Sequence, residues 1–76
     1  MPKLRQLPTD RILRALGRAG WLPRPSHPGK GHYVLVHRTR PGVVAVPRHP
    51  QVKKGTFRSI LRQAGLTLDE FERLYQ

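Results

Sequence analysis

The sequence predicts an α+β fold, a helix followed by a small antiparallel sheet and then two further helices, and three observations lead there. Apolar residues recur at helical spacing near both ends, as Ile12, Leu13, Leu16 and Ala19 and again as Phe57, Ile60, Leu61 and Ala64. Between them lie two β-branched runs, Tyr33-Val34-Leu35-Val36 and Val43-Val44-Ala45-Val46. Thr39-Arg40-Pro41-Gly42 separates the runs and has the composition of a type II turn, so they are expected to form an antiparallel hairpin.

Each element has its own local reason. The first helix spans 9–19, with Thr9 or Asp10 suited to cap it, Pro8 suited to the turn before it and Gly20 suited to the left-handed position after it. Trp21-Leu22 reads as a short edge strand, and the prolines and glycines from Pro23 to Gly31 then forbid helix and interrupt pairing, leaving a basic loop. Both rows of the run 33–36 are apolar, so alternation alone does not say which row faces the helices. Pro47 ends the second strand of the hairpin, and Arg48 through Gly55 reads as a second basic loop. The second helix spans 56–64 and is closed by Gly65. Thr67-Leu68-Asp69-Glu70 is a capping box that opens a last helix through Tyr75. The resulting order is helix, two or three strands, helix and a short helix, with the helices packed on one face of the sheet.

A chain of 76 residues has room for one domain, 1–76, with one small core, so function is expected on its surface. No cysteine is present, which removes disulfides and thiolate metal sites. No apolar run approaches the length of a membrane span, and Met1-Pro2-Lys3-Leu4-Arg5 lacks the apolar stretch of a signal peptide; the cytoplasm is the expected compartment, without membrane insertion. The charge is the strongest compositional fact: 15 Lys and Arg stand against 4 Asp and Glu, a formal net charge of +11. Polyanions are the expected partners, because each phosphate neutralised releases counterions. Three of the four acids, Asp69, Glu70 and Glu72, lie in the C-terminal tail, so the remainder is more basic still.

Cutting RNA without a metal takes a base for the 2′-hydroxyl proton, an acid for the leaving 5′-oxygen and cations around the phosphorane. Histidine suits both proton-transfer roles. Four are present, at positions 27, 32, 37 and 49. His32 follows the flexible cationic approach Gly29-Lys30-Gly31 and opens a strand, which would hold it at the sheet edge; the competing reading is a hydrogen-bonded surface imidazole. The spacing of His27, His32 and His37 suggests a metal, yet steps of five put successive strand residues on opposite faces and no carboxylate lies between them, so neither metal nor other cofactor is expected. A second histidine could act as the general acid, and nothing in the sequence selects it. Lys53-Lys54-Gly55-Thr56 stands where the second helix begins, so ammonium groups, free amides and the helix dipole would together favour a phosphate. Arg58 and Arg62 extend that cationic edge, and Lys30 and Arg48 add to it from the two basic loops.

The opening Met1-Pro2-Lys3-Leu4, the helix ending Ala15-Leu16-Gly17-Arg18-Ala19-Gly20-Trp21, Gly31-His32 with His37 five residues on, Val44-Ala45-Val46-Pro47 and above all 53–65 together resemble the HicA toxins. These are small endoribonucleases of toxin–antitoxin pairs that cleave messenger RNA. The resemblance covers nearly the whole chain. It implies a fold like a double-stranded-RNA-binding domain, with a three-stranded antiparallel sheet, in which the basic start of the second helix meets phosphates. It implies His32 as the catalytic histidine, matching a Gly-Ser-His motif that here reads Lys30-Gly31-His32, and a HicB-type antitoxin that covers the histidine and the basic surface. Two other readings remain: an RNA-binding module of the same shape that lacks catalysis along with the motif serine, and a structural protein of ribosomal type.

Overall fold

The structure, a computed structural model, describes residues 3–24 and 31–75. Their order is β1 (Leu7–Pro8), α1 (Thr9–Arg18), β2 (Leu22–Pro23), β3 (His32–Val36), β4 (Val44–Pro47), β5 (Gln51–Val52), α2 (Lys54–Ala64) and α3 (Leu68–Tyr75). This is the α+β arrangement expected from the periodicities, with β2, β3 and β4 forming a three-stranded antiparallel sheet in that order. The segment 25–30, which includes His27 and Lys30, lies outside the described residues.

The start of α1 differs from expectation. Neither Thr9 nor Asp10 caps the helix: the N-cap is Pro8, with no side-chain cap. Thr9 is a buried helical residue whose Oγ1 donates to the carbonyl of His49 and whose amide donates to that of Pro50 at 3.1 Å. The long-range bond outcompetes the local one because it satisfies a buried hydroxyl and fixes the chain after β4 in the same contact. Beside it Leu7 and Pro8 pair with Val52 and Gln51, a two-residue ladder inside what the sequence presents as a loop.

Register settles which row of β3 is buried. His32 pairs with Pro47, Tyr33 with Val46, Val34 with Ala45 and Leu35 with Val44. Since side chains alternate across a strand, Tyr33 and Leu35 share a face with Val44 and Val46, and the last three of these are buried. His32, Val34, Ala45 and Pro47 therefore share the opposite face. A slip of one residue would bury the histidine and expose Leu35.

The helices complete the core. Ile12 and Leu16 of α1, Trp21, Phe57 and Ile60 of α2 and Phe71 of α3 are all at most 2 % exposed. Phe71 packs edge-on against Phe57 at 4.9 Å and beside Tyr75 at 5.5 Å. Truncating such a ring to alanine typically costs about 3–5 kcal/mol, a large share of the stability of any small domain. The Thr67–Glu70 capping box forms as predicted: the Thr67 amide donates to Glu70 Oε1 at 2.8 Å, and the Glu70 amide to Thr67 Oγ1 at 3.1 Å. Gln63 of α2 accepts the Ala45 amide at 2.8 Å on Oε1, so a helix side chain satisfies an outward-facing donor on the edge strand β4.

Candidate functional site

The outer row of the sheet and the polar side of α2 enclose a cleft of about 440 Å³. The strands supply His32, Ala45 and Pro47, and α2 supplies Thr56, Ser59 and Gln63. The last three lie at offsets 0, 3 and 7, one face of a helix, beside rather than within the buried face of Phe57, Ile60, Leu61 and Ala64. The connection from β4 to α2 closes the end of the cleft with His49, Gln51 and Lys53.

Backbone hydrogen bonds hold the two histidine-bearing segments together. The Arg48 amide donates to the Gly31 carbonyl at 3.0 Å, and Arg48 Nε reaches the His32 carbonyl at 3.4 Å. The guanidinium then lies over the Tyr33 ring, 4.4 Å from its centroid, a stack that orders both side chains. Through this loop His49 borders the first cleft and a second, shallower hollow of about 460 Å³, where Thr9, Asp10, Leu13 and Tyr33 also line the wall.

The described histidines divide sharply. In His37, Nε2 lies 3.0 Å from the Ala19 carbonyl, and Nδ1 accepts from the amides of Thr39 at 3.2 Å and Arg40 at 3.3 Å. With Nδ1 accepting from two backbone amides, Nε2 is the nitrogen left to donate to the Ala19 carbonyl, so both nitrogens are occupied. The ring also meets Trp21 edge-on at 5.2 Å, which makes His37 a tie between the end of α1 and the loop after β3. His32 and His49 are exposed, and among the described residues neither ring has a hydrogen-bond partner.

The cations predicted from sequence distribute unevenly. Lys53 lines the cleft and is also the N-cap residue of α2. It offers only its backbone to the cap, so the amides of Lys54, Gly55 and Thr56 open the helix without a side-chain acceptor. Lys54, Arg58 and Arg62 are exposed, with Arg58 and Arg62 on the outer face of α2, turned from the row of Thr56, Ser59 and Gln63. Arg48 is engaged with Tyr33 at the junction of the two hollows. Among the described residues no group of three or more His, Asp or Glu side chains is placed to hold a metal ion, and no helix is long and apolar enough to cross a membrane.

The sequence did not single out His49, Ser59 or Gln63, and drew attention to Thr56 only as part of the basic start of the second helix. His49 sits in a segment without periodicity, and only the pairing of β3 with β4 brings it to His32. The three polar residues of α2 were legible in principle as the strip beside its apolar stripe.

Fold and site together define a small, strongly basic α+β domain with a histidine-bearing cleft between the outer face of a sheet and the start of a helix. A family model described as HicA toxin of bacterial toxin-antitoxin matches residues 9–66, and the chain belongs to that family. It is thus a toxin of a toxin–antitoxin pair, with an antitoxin as its implied partner. The matched region contains every described residue that lines the cleft. Among curated proteins, none matches the chain.

Proposed function

We propose that the chain is an endoribonuclease that cleaves messenger RNA in the cytoplasm, with His32 as a proton-transfer group in the cleft. The observation that carries this reading is an exposed imidazole, unengaged by its neighbours, in a cleft closed by Lys53 and an uncapped helix start, on a chain of net charge +11. The amides of Lys54, Gly55 and Thr56 and the dipole of α2 favour a phosphate at that end, and Lys53 adds a full charge. Lys30, Arg48, Lys54, Arg58 and Arg62 extend the cationic surface along the RNA backbone. Cleavage proceeds without a metal ion: the 2′-oxygen attacks phosphorus, the bond to the 5′-oxygen breaks, and the products are a 2′,3′-cyclic phosphate and a 5′-hydroxyl. A HicB-type antitoxin restrains the toxin by covering His32 and the basic surface around it, which also relieves the self-repulsion of so high a charge.

The test is induced expression in bacteria of the wild-type chain and of His32→Ala, following growth and messenger-RNA integrity together. Growth arrest with RNA cleavage in the wild type alone is the expected result. If neither protein cleaves RNA while both are well expressed and folded, the domain is an RNA-binding module without catalysis, the reading favoured by Gly31 in place of a hydroxyl side chain next to His32.

A further inference from the structure

We infer that His49 is the second proton-transfer group of the cleft and works as a pair with His32; this rests on the nuclease reading above. Breaking an RNA chain at phosphorus by attack of its own 2′-oxygen requires two proton movements. One ring nitrogen takes the proton from the 2′-hydroxyl as the bond from O2′ to phosphorus forms. The other ring gives a proton to O5′ as the bond from phosphorus to O5′ breaks, and the pair ends with its two protonation states exchanged. One imidazole cannot serve both positions at once.

The cleft offers few other groups for the second role. Among the described residues its remaining polar side chains are the amides of Gln51 and Gln63, the hydroxyls of Thr56 and Ser59 and the ammonium of Lys53, and none of the described carboxylates lines it. None of these side-chain types ordinarily exchanges a proton near neutrality, as histidine does. His37 is excluded because both its nitrogens hold backbone partners. Position supports the pairing equally. His32 stands opposite Pro47, Arg48 is bonded to Gly31, and the carbonyl of His49 accepts from Thr9, so the backbones of both residues are fixed with respect to each other while both rings remain exposed. The charged and titratable groups that border His49 from neighbouring elements are Lys53 and His32 in the first cleft and Asp10, Tyr33 and Arg48 in the second.

The test compares wild type, His32→Ala, His49→Ala and His49→Gln on two versions of one short RNA, an ordinary one and one whose scissile 5′-oxygen is replaced by sulfur. A thiolate leaves without being protonated, so the sulfur substrate no longer needs the acid. Each alanine variant is expected to cut the ordinary RNA about 10²–10⁴-fold more slowly than wild type. On the sulfur substrate one of the two, and only one, should recover to within about tenfold of wild type, which identifies the acid. The pairing is overturned if His49→Ala and His49→Gln both cut ordinary RNA within about threefold of wild type. It is equally overturned if the sulfur substrate rescues neither or both of the alanine variants. A folded wild type that cuts neither substrate removes the nuclease reading itself, and an active wild type with an unaffected His49 variant removes only the pair. Thermal unfolding of each variant guards against collapse of the fold, and the exposed His49 ring makes that collapse avoidable.

Discussion

Substituting Gly20 by alanine tests whether His37 is the tie that the structure makes it. Gly20 has φ +97°, and a Cβ added there would lie 2.6 Å from His37 Nε2 and 3.0 Å from Cδ2. Two costs follow, and they are separable. A side chain at that φ costs about 1–2 kcal/mol wherever it occurs. The imidazole must also shift, which gives up its bond to the Ala19 carbonyl, its two amide donors and its contact with Trp21, about a further 2 kcal/mol. Gly42 supplies the comparison, since its φ is +82° and nothing lies within 4 Å of the added Cβ. Gly20→Ala should therefore lower stability by about 3–4 kcal/mol and Gly42→Ala by about 1–2 kcal/mol, a difference in melting temperature of about 8–16 °C for a domain of this size. The assay is denaturant and thermal unfolding of the single variants and of Gly20→Ala combined with His37→Ala. With the ring removed, Gly20→Ala should retain only its backbone cost, leaving a coupling of about 2 kcal/mol. Equal effects of Gly20→Ala with and without His37 would refute the contact.

Two further outcomes follow from the cleft and the last helix. Replacing Lys53 and Lys54 together by alanine should reduce the slope of log affinity against log salt for single-stranded RNA by about two units, measured by fluorescence anisotropy, if both meet phosphates. Glu70 is held below the ordinary carboxylate range by the Thr67 amide first, by the Thr67 side chain next, and by Arg40 and Arg73 nearby. A depressed carboxylate contributes stability that is present above its unfolded value of about 4.3 and lost as pH falls through the folded one. Melting temperature should accordingly decline more steeply on acidification below about pH 4.3 for wild type than for Glu70→Gln, and Thr67→Ala should cost about 1 kcal/mol at neutral pH.

The helices were legible because their signals are local: the stripes of α1 and α2, the left-handed Gly65 and the reciprocal Thr67–Glu70 bonds each depend on residues a few positions apart. What was not legible depends on partners far along the chain. Both rows of β3 are apolar, and only the pairing of Leu35 with Val44 and Tyr33 with Val46 makes one of them the core. Leu7 and Val52, the isolated apolar residues of otherwise polar stretches, are the sole trace in the sequence of the β1–β5 ladder. Thr9, like Asp10, suits a cap by local rules, whereas its hydroxyl bonds to a carbonyl forty residues on. The same division holds in the cleft: His32 stood out beside a flexible cationic approach, but its neighbour His49 is brought in by tertiary pairing.

That pairing explains how so small a domain can leave reactive side chains unengaged without loosening the segment that carries them. From Arg48 to Lys53 the chain is fixed almost wholly through backbone atoms: the Arg48 amide on Gly31, the carbonyls of His49 and Pro50 on Thr9, the Gln51–Val52 ladder on β1, and the Lys53 carbonyl accepting from Phe57 at 2.9 Å. Only Val52 among these residues places its side chain in the core, while the side chains of His49, Gln51 and Lys53 line the cleft. Stability and chemistry are thereby assigned to different atoms of the same residues. Substitutions at His49 and Lys53 should move RNA cleavage and binding with little effect on unfolding, whereas Thr9→Val, which removes only the hydroxyl on the His49 carbonyl, should do both: about 1–3 kcal/mol of stability is lost with the unpaired carbonyl, and the loop that presents His49 is loosened. If Thr9→Val left cleavage untouched at a temperature where the protein remains folded, the loop would owe its position to its other backbone anchors, the Arg48 amide on Gly31, the Thr9 amide on the Pro50 carbonyl and the β1–β5 ladder.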